Sequence, residues 1–341
     1  MLYFYFYIHQ LKNRLFLNKM RKQILILSAF LMVSFFARCQ NQQVQKTQAY
    51  LGIKDGGEWV WVTKEDGKQQ YEYQGGEFRP VKELAVDEKH TDHSFDIQFE
   101  GPGWESDKIG YRLYLDWRNA IDIFGKKTSE PILHQVGLDG FDSYHEMQDW
   151  GVDILQVGDA LGIGSLAFWD GTKAVRLEKT SEIKCKVETE NTASKVVVDY
   201  SDWEIDSYIT DISTTLEIEP GSYLTKYSIN LSNELSNLAT GIVKLPNTEM
   251  KIINDLKPGW SCMLTFGKQS LQNDMLGMCV LYKSNQLIKQ TEDNNSYVVV
   301  LKPENNLLTY YFGAAWEQDA SGVNTMNDFV NLLKDQVKFI K

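Results

Sequence analysis

The chain has 341 residues, with 35 Lys and Arg against 46 Asp and Glu, a net charge of −11. Residues 1–40 hold six of the basic side chains and none of the acidic ones, which leaves 29 against 46 in the remainder, a net −17. A surface this acidic argues against nucleic acid and anionic membrane as partners, and an anionic ligand would need a local basic cluster to overcome the general field.

The stretch "MRKQILILSAFLMVSFFARC", Met20 to Cys39, has a basic start, an apolar run from Ile24 to Phe36 and a small residue near its end, the layout of a bacterial export signal. The apolar run is short for a membrane span. Met20 reads as the true start, with residues 1–19 as upstream sequence, and Cys39 reads either as a lipidated first residue or as the neighbour of an ordinary cleavage site. Export to the periplasm, or lipid anchoring to the outer membrane, is the expected localisation. Residues 41–341 read as a single β-sandwich domain. Their three cysteines, Cys185, Cys262 and Cys279, have no CxxC spacing, so the expectation is buried free thiols, or one bridge and one spare.

In chain order, "EWVWVTKEDGKQQYEYQGGEF" reads as strand, Asp66-Gly67 turn, strand, and "SLAFWDGTKAVRL" repeats the device at Asp170-Gly171. Further strands are expected at "SKVVVDYSDWEI", "YITDISTTLEIEPGSYLTKYSINLS", "GIVKLP", "SCMLTFG", "LGMCVLYK", "SYVVVLKP" and "LLTYYFGAAW". Many alternating strands joined by hairpins give an all-β fold, a large β-sandwich. One helix is expected, at the C-terminal end, where Met326, Phe329, Val330, Leu333, Val337 and Ile340 recur at three and four, with Asn324 or Thr325 as N-cap.

Two stretches break the ordinary pattern. In "GYRLYLDWRNAIDIFG", Gly110 to Gly125, one face of a strand is apolar and the other shows Arg112, Tyr114, Asp116, Arg118 and Asp122, either a solvated ladder or the floor of a cleft. "GLDGFDSYHEMQDWGVDILQVGDALGIG", Gly137 to Gly164, is long, glycine-punctuated and rich in aromatic and acidic residues, which marks a functional loop.

Exported, acidic, β-rich chains with exposed aromatics suit carbohydrate, whose rings stack on Trp and Tyr and whose hydroxyls meet planar polar groups. Trp104 and Trp150 sit among polar and glycine residues and are better stacking candidates than Trp59 or Trp169, which lie in hairpin strands. His145, with Tyr144 beside it and carboxylates near, is the candidate base; a loop-stabilising hydrogen bond is its alternative. His134 reads as structural or as a substrate contact. His90 and His93 are a weak metal pair. Asp139, Asp142, Glu146, Asp149 and Asp153 could gather calcium, although their order lacks the EF-hand pattern. Glu105, Asp116 and Asp149 could supply a glycosidase pair. No nucleophile elbow, phosphate-binding loop or dinucleotide fingerprint is present, so no cofactor is expected.

The run "GPGWESDKIGYRLYLDWRNAIDIFGKK" followed by "GLDGFDSYHEMQDWGVDILQVGDALGIGSLAFW" resembles a family of exported Bacteroidota proteins catalogued as a domain of unknown function. The resemblance covers nearly all of the chain after the leader. It implies a galactose-mutarotase-like supersandwich, and the activity known for one type, an oligosaccharide dehydratase of ulvan breakdown. That activity removes water from a saturated terminal uronic acid to leave a 4,5-unsaturated sugar. Such chemistry needs a neutralised carboxylate, a base for the C5 proton and an acid for the C4 hydroxyl. The residues assigned to these tasks are Arg112 and Arg118 as the carboxylate clamp, His145 as base, and Tyr144 or Tyr114 as acid. Asp116, Trp104, Glu105, Trp150 and His134 are the further substrate contacts. The anionic oligosaccharide is the expected partner. An exo-acting lyase uses the same parts, and a non-catalytic glycan-binding lipoprotein or a mutarotase-like epimerase remains open.

Overall fold

Alternation sets the strands, and one irregularity shows how strictly. Along Ser194–Ile205 the buried side chains are Val196, Val198 and Tyr200, then Trp203 and Ile205, so the buried parity changes from even to odd. The register with the neighbouring strand Tyr208–Ile218 slips between Tyr200 and Trp203, where Asp202 takes a φ of 51°. This β-bulge absorbs the extra residue and keeps Trp203 in the core.

The computed structural model describes residues 45–341 apart from 141–142 and 206–207, together with Met20 and Lys22. Apart from Met20 and Lys22, the stretch expected to be an export signal lies outside the described residues, as do Cys39 and Asp142. Among the described residues no helix is long and apolar enough to cross a membrane.

Over the described residues from 45 onward the protein is an all-β sandwich with one α-helix, at the C-terminal end. Its largest layer is a nine-stranded antiparallel sheet in the order Thr248–Lys257, Trp260–Lys268, Met275–Lys283, Leu307–Trp316, Leu224–Leu231, Tyr208–Ile218, Ser194–Ile205, Glu182–Thr189 and Glu83–Ala85. A five-stranded sheet, here the site sheet, runs Thr47–Tyr50, Gly103–Ser106, Ile109–Leu113, Ile121–Lys126 and Gly151–Asp153. A second five-stranded sheet runs Ala174–Arg176, Ala167–Trp169, Leu238–Val243, Ser296–Leu301 and Leu287–Glu292. The remaining pair, Gly52–Thr63 and Gln69–Pro80, is a long hairpin that turns at Asp66-Gly67 as the dipeptide predicts.

Aromatic residues join the site sheet to the large sheet. Trp104 stacks on Tyr111 at 5.7 Å, and Phe312 meets both edge-on. Polar tips are satisfied across the layers: Trp104 Nε1 donates to Thr225 Oγ1 (2.8 Å), and the Tyr111 hydroxyl donates to the Tyr223 carbonyl (2.8 Å) while accepting from Ala314 N–H (3.0 Å). Removing a ring from such a cluster costs about 3–5 kcal/mol. Trp104 is thus a core residue and not the exposed stacking surface expected of it.

The opposite face of the large sheet is covered by the helix Met326–Gln336. Thr325 caps it in a capping box with Asp328. Its Phe329 lies on Gly277, where a Cβ would stand 2.6 Å from the ring. Cys185, Cys262 and Cys279 are free thiols, all buried.

Candidate functional site

The stretch "GYRLYLDWRNAIDIFG" forms two strands and not one. Ile109–Leu113 and Ile121–Lys126 pair antiparallel, with Arg112 directly opposite Asp122. Between them Asn119, at φ 39°, donates its N–H to the Asp116 carbonyl (3.0 Å) and closes the turn. The polar face of this hairpin is buried.

Arg112 is 3% exposed and its donors are spent inside the protein. Nε and Nη2 donate to Asp122 Oδ2 (3.0 and 2.6 Å), Nη2 also to Asp153 Oδ2 (2.8 Å) and the Tyr114 hydroxyl (2.9 Å), and Nη1 to the Tyr144 hydroxyl (3.0 Å). The Tyr114 hydroxyl in turn donates to Asp122 Oδ2 (2.7 Å). Burial alone would lower the arginine's pKa, but the phenolic and carboxylate oxygens around it outweigh that and raise it. Burial, and then the charge of Asp122, push the Asp153 carboxyl well above its usual range. Arg112 is therefore not a free clamp for a substrate carboxylate, and Tyr114 lies too deep to touch substrate.

Arg118 is saturated in the same way. It is bound to Asp116 through Nε (2.9 Å) and Nη2 (2.5 Å), to Asp92 through Nη1 (2.8 Å) and to Glu100 through Nη2 (3.0 Å), with its guanidinium 3.9 Å from the centre of the Tyr114 ring. With Asp116 as its internal partner and Asp92 and Glu100 bound as well, its guanidinium is engaged inside the protein and does not line the cleft.

In front of these two arginines opens a cleft of about 640 Å³. Phe99, Glu100 and Tyr144 form its floor, Lys54, Glu77 and Phe78 of the long hairpin one wall, and Gly137 to Gly140 the other. The part of the long loop that meets the cleft is thus its start and Tyr144, while Gly151–Asp153 continues as the edge strand of the site sheet. Among the described residues lining the cleft, Lys54 is the cationic side chain, its ammonium 5.3 Å from the Phe78 ring and 5.9 Å from Phe95.

The segment beneath the cleft is strained. His93, Phe95, Phe99 and Glu100 all have positive φ, between 41° and 69°, a conformation uncommon outside glycine and concentrated at functional sites. Hydrogen bonds hold it: His90 Nδ1 to Asp96 Oδ1 (2.8 Å), Ser94 Oγ to Asp96 Oδ1 (2.7 Å), and His93 N–H to Glu100 Oε1 (3.0 Å). Burial would raise the Asp92 carboxyl, but the His93 ring at 2.6 Å and the Arg118 charge win and hold it at about 2. Asp92 in turn raises the pKa of His93.

Asp92, His93 and Glu100 bring three ligand atoms within 4.8 Å of one another. The Arg118 guanidinium already lies 2.8 and 3.0 Å from the two carboxylates, so the charge a cation would supply is provided by the protein. His90 points to Asp96 instead of joining His93. Of the residues that could alternatively gather calcium, Asp142 lies outside the described residues, Asp139, Glu146, Asp149 and Asp153 are not among the ligand groupings of the described residues, and Asp153 is bound to Arg112.

His145 sits at the end of the single turn Ser143–His145, its side chain 35% exposed. Its Nε2 lies 3.5 Å from Asp153 Oδ2, and its ring is 4.5 Å from the Tyr144 ring. Burial, opposed by the Arg112 charge, raises the Tyr144 phenol above its ordinary value. The other expected contacts are dispersed. Glu105 is fully buried, bound to the Lys126 ammonium and accepting the N–H groups of Ile132 and Leu133. Trp150 packs edge-on against Phe124 at 6.0 Å and lines a smaller pocket with Tyr144. His134 is exposed and lines no part of the cleft.

Lys54 and Glu100 were not singled out from the sequence. Lys54 follows an unremarkable apolar start of a strand, and nothing in "FEGPGW" marks Glu100 as facing a cleft.

One relative is similar at a distance. An uncharacterized protein, P7, of Formosa agariphila is 20% identical over 238 residues, 63% of this chain and 59% of that protein, so the chain spans under two thirds of its relative's length. Among solved structures, a TPR-domain containing protein from Parabacteroides distasonis aligns with a TM-score of 0.32 at 8% identity, over 80% of this chain and 55% of that one. A 4-α-glucanotransferase from Thermococcus litoralis aligns at 0.29 and 12%, over 66% and 38%. A family model, by contrast, matches residues 30–341. The chain belongs to the family described as a domain of unknown function (DUF4861).

Proposed function

We propose that the protein is a carbon–oxygen lyase that eliminates water from the saturated terminal uronic acid of ulvan-type oligosaccharides, leaving a 4,5-unsaturated uronate. The observation that carries this reading is Tyr144, a phenol kept protonated by burial, lining the cleft and held from behind by Arg112 at 3.0 Å. A hydroxyl that accepts from a guanidinium is polarised toward giving up its proton, which suits protonation of the departing C4 oxygen. His145 stands beside it, outside the cleft lining, with its Nε2 3.5 Å from Asp153 Oδ2, and is the base of this proposal. Lys54 replaces the arginines as partner of the substrate carboxylate; pairing it there makes the C5 proton more acidic.

The test is incubation with saturated uronate-ended oligosaccharides from ulvan, pectin and alginate, read by near-ultraviolet absorbance of the unsaturated product. Absorbance together with release of a shorter sugar would mark an exo-acting lyase. Binding without absorbance would favour a glycan-binding protein, a reading supported by the exposed Trp61 and Tyr71.

A further inference from the structure

The long hairpin carries aromatic residues in register on one face. Trp59 stands opposite Tyr73 and Trp61 opposite Tyr71, and because all four positions are odd they share that face. The cross-strand rings meet edge-on at 5.3 and 4.7 Å. Edge-on packing leaves ring faces open, and Trp61 is 55% exposed and Tyr71 36%. Polar or β-branched residues would keep an outward face of a two-stranded ribbon soluble; four aromatics there expose apolar surface at a cost.

Three further observations say what covers this face. First, Lys89 places its ammonium 5.8 Å from the Trp59 ring and 5.6 Å from the Tyr71 ring. A cation beside these edge-on rings complements a ligand with an apolar ring face and an anionic substituent. Secondly, the same hairpin supplies Lys54, Glu77 and Phe78 to the cleft, so the aromatic face and the cleft belong to one element. From Lys54 to Trp61 is seven residues of strand, up to about 23 Å, with the positive-φ glycines Gly56 and, on the paired strand, Gly76 between them. Thirdly, the hairpin is fixed and not a loose arm. Lys54 N–H donates to the Asp96 carbonyl (2.8 Å), Tyr73 N–H to that of Ser94 (2.7 Å), and Gln70 Nε2 to those of Asp92 (3.1 Å) and His93 (3.3 Å).

We propose that the Trp59, Trp61, Tyr71 and Tyr73 face, with Lys89 at its margin, is a stacking subsite for the pyranose rings of an acidic oligosaccharide whose terminal uronate occupies the cleft. The proposal rests on the functional reading above for the cleft end of the ligand, but its own readout needs no turnover.

The experiment compares the parent with Trp61→Ala, Tyr71→Ala and Lys89→Gln, each first shown to unfold at the parental temperature. Binding is followed by intrinsic tryptophan fluorescence and by calorimetry, with uronate-ended hexasaccharides and disaccharides from ulvan, pectin and alginate, and with cellohexaose as the neutral probe. Loss of one stacking ring should weaken hexasaccharide binding about tenfold and leave the disaccharide unaffected. Lys89→Gln should weaken the acidic hexasaccharide more than cellohexaose, and added salt should narrow that gap. Equal hexasaccharide affinity in parent and Trp61→Ala overturns the proposal, as does absence of saturable hexasaccharide binding. A parent that sediments as a dimer, with Trp61→Ala a monomer, makes the face a self-association surface and also overturns it. If elimination fails while hexasaccharide binding is lost in Trp61→Ala, the catalytic reading falls and the subsite stands.

Discussion

The Arg112 guanidinium stands behind the Tyr144 hydroxyl, 3.0 Å from it and on the side away from the cleft, and is anchored there by Asp122 and Asp153. Arg112 therefore acts on any ligand through Tyr144 and not by direct contact. Three consequences for mutants follow from this arrangement, and each separates stability from chemistry.

Arg112→Gln removes the charge between two buried carboxylates. Breaking a buried pair from one side leaves uncompensated charge and costs about 3–5 kcal/mol. Thermal unfolding should drop by many degrees, and Asp122→Asn in the same background should restore part of the loss. An unchanged melting temperature would mean that the cluster relaxes or takes in water.

Tyr144→Phe should keep the fold, since the ring remains packed against Phe124, and should lose at least about 10² in kcat with little change in KM. His145→Ala should show the same division. Near-full turnover in a folded His145→Ala protein would move the base elsewhere, and His93, beside the floor carboxylate Glu100, is the next residue to test.

Lys54→Gln should act on binding. Losing a charge-assisted contact to a uronate costs about 1.5–3 kcal/mol, seen as a raised KM for acidic substrates. Neutral oligosaccharides should bind the variant as they bind the parent. A variant with unaltered KM for uronates would remove Lys54 from the carboxylate site.

How far the sequence foretold this arrangement differs by element. The Asp66-Gly67 hairpin, the strand run from Ser194 onward and the Thr325-capped helix were legible because turn chemistry, period-two alternation and capping act locally. Arg112 was not. A polar face that repeats at period two has the same pattern whether it meets water or a second layer of protein, and only the pairing of Arg112 with Asp122, with Asp153 arriving from a later strand, decides between them. Tyr144 stood out because it sits in an aromatic, acidic loop, and it lines the cleft; His145, read from the same loop, lies beside it and outside the cleft lining. Lys54 and Glu100 were missed because the cleft they share is made by a hairpin crossing a strained segment more than forty residues along the chain.

The strained segment should give stability a pH dependence with two limbs. Asp92 is held at about 2 and Asp96 is also lowered. Their contribution is present above the ordinary carboxylate range, about pH 4, and is lost as pH falls through the folded values. His90 and His93 are raised, burial being outweighed by Asp96 for the former, while hydrogen bonding to Asp92 leads for the latter. Their contribution is complete below about pH 6.5 and is lost as pH rises through the folded values. Melting temperature against pH should therefore decline on both sides of a plateau, and His90→Gln should flatten the alkaline decline. A parental profile flat from pH 6 to 9 would contradict this.

Chelation should leave elimination intact, because Arg118 supplies the positive charge among Asp92, Asp116 and Glu100. Activity abolished by EDTA and restored by calcium would place a metal in that cluster or among the acidic loop residues.

The three cysteines also have a consequence for where the chain can mature. Cys185, Cys262 and Cys279 are free thiols packed out of reach of water, and burial raises the pKa of Cys185 and, together with its neighbour Cys279, that of Cys262, so those two stay in their unreactive form. No step in reaching the described fold waits for an oxidant or an isomerase. Protein made in a reducing cell interior and protein made in an oxidising compartment should be interchangeable, with the same melting temperature in the presence and absence of dithiothreitol.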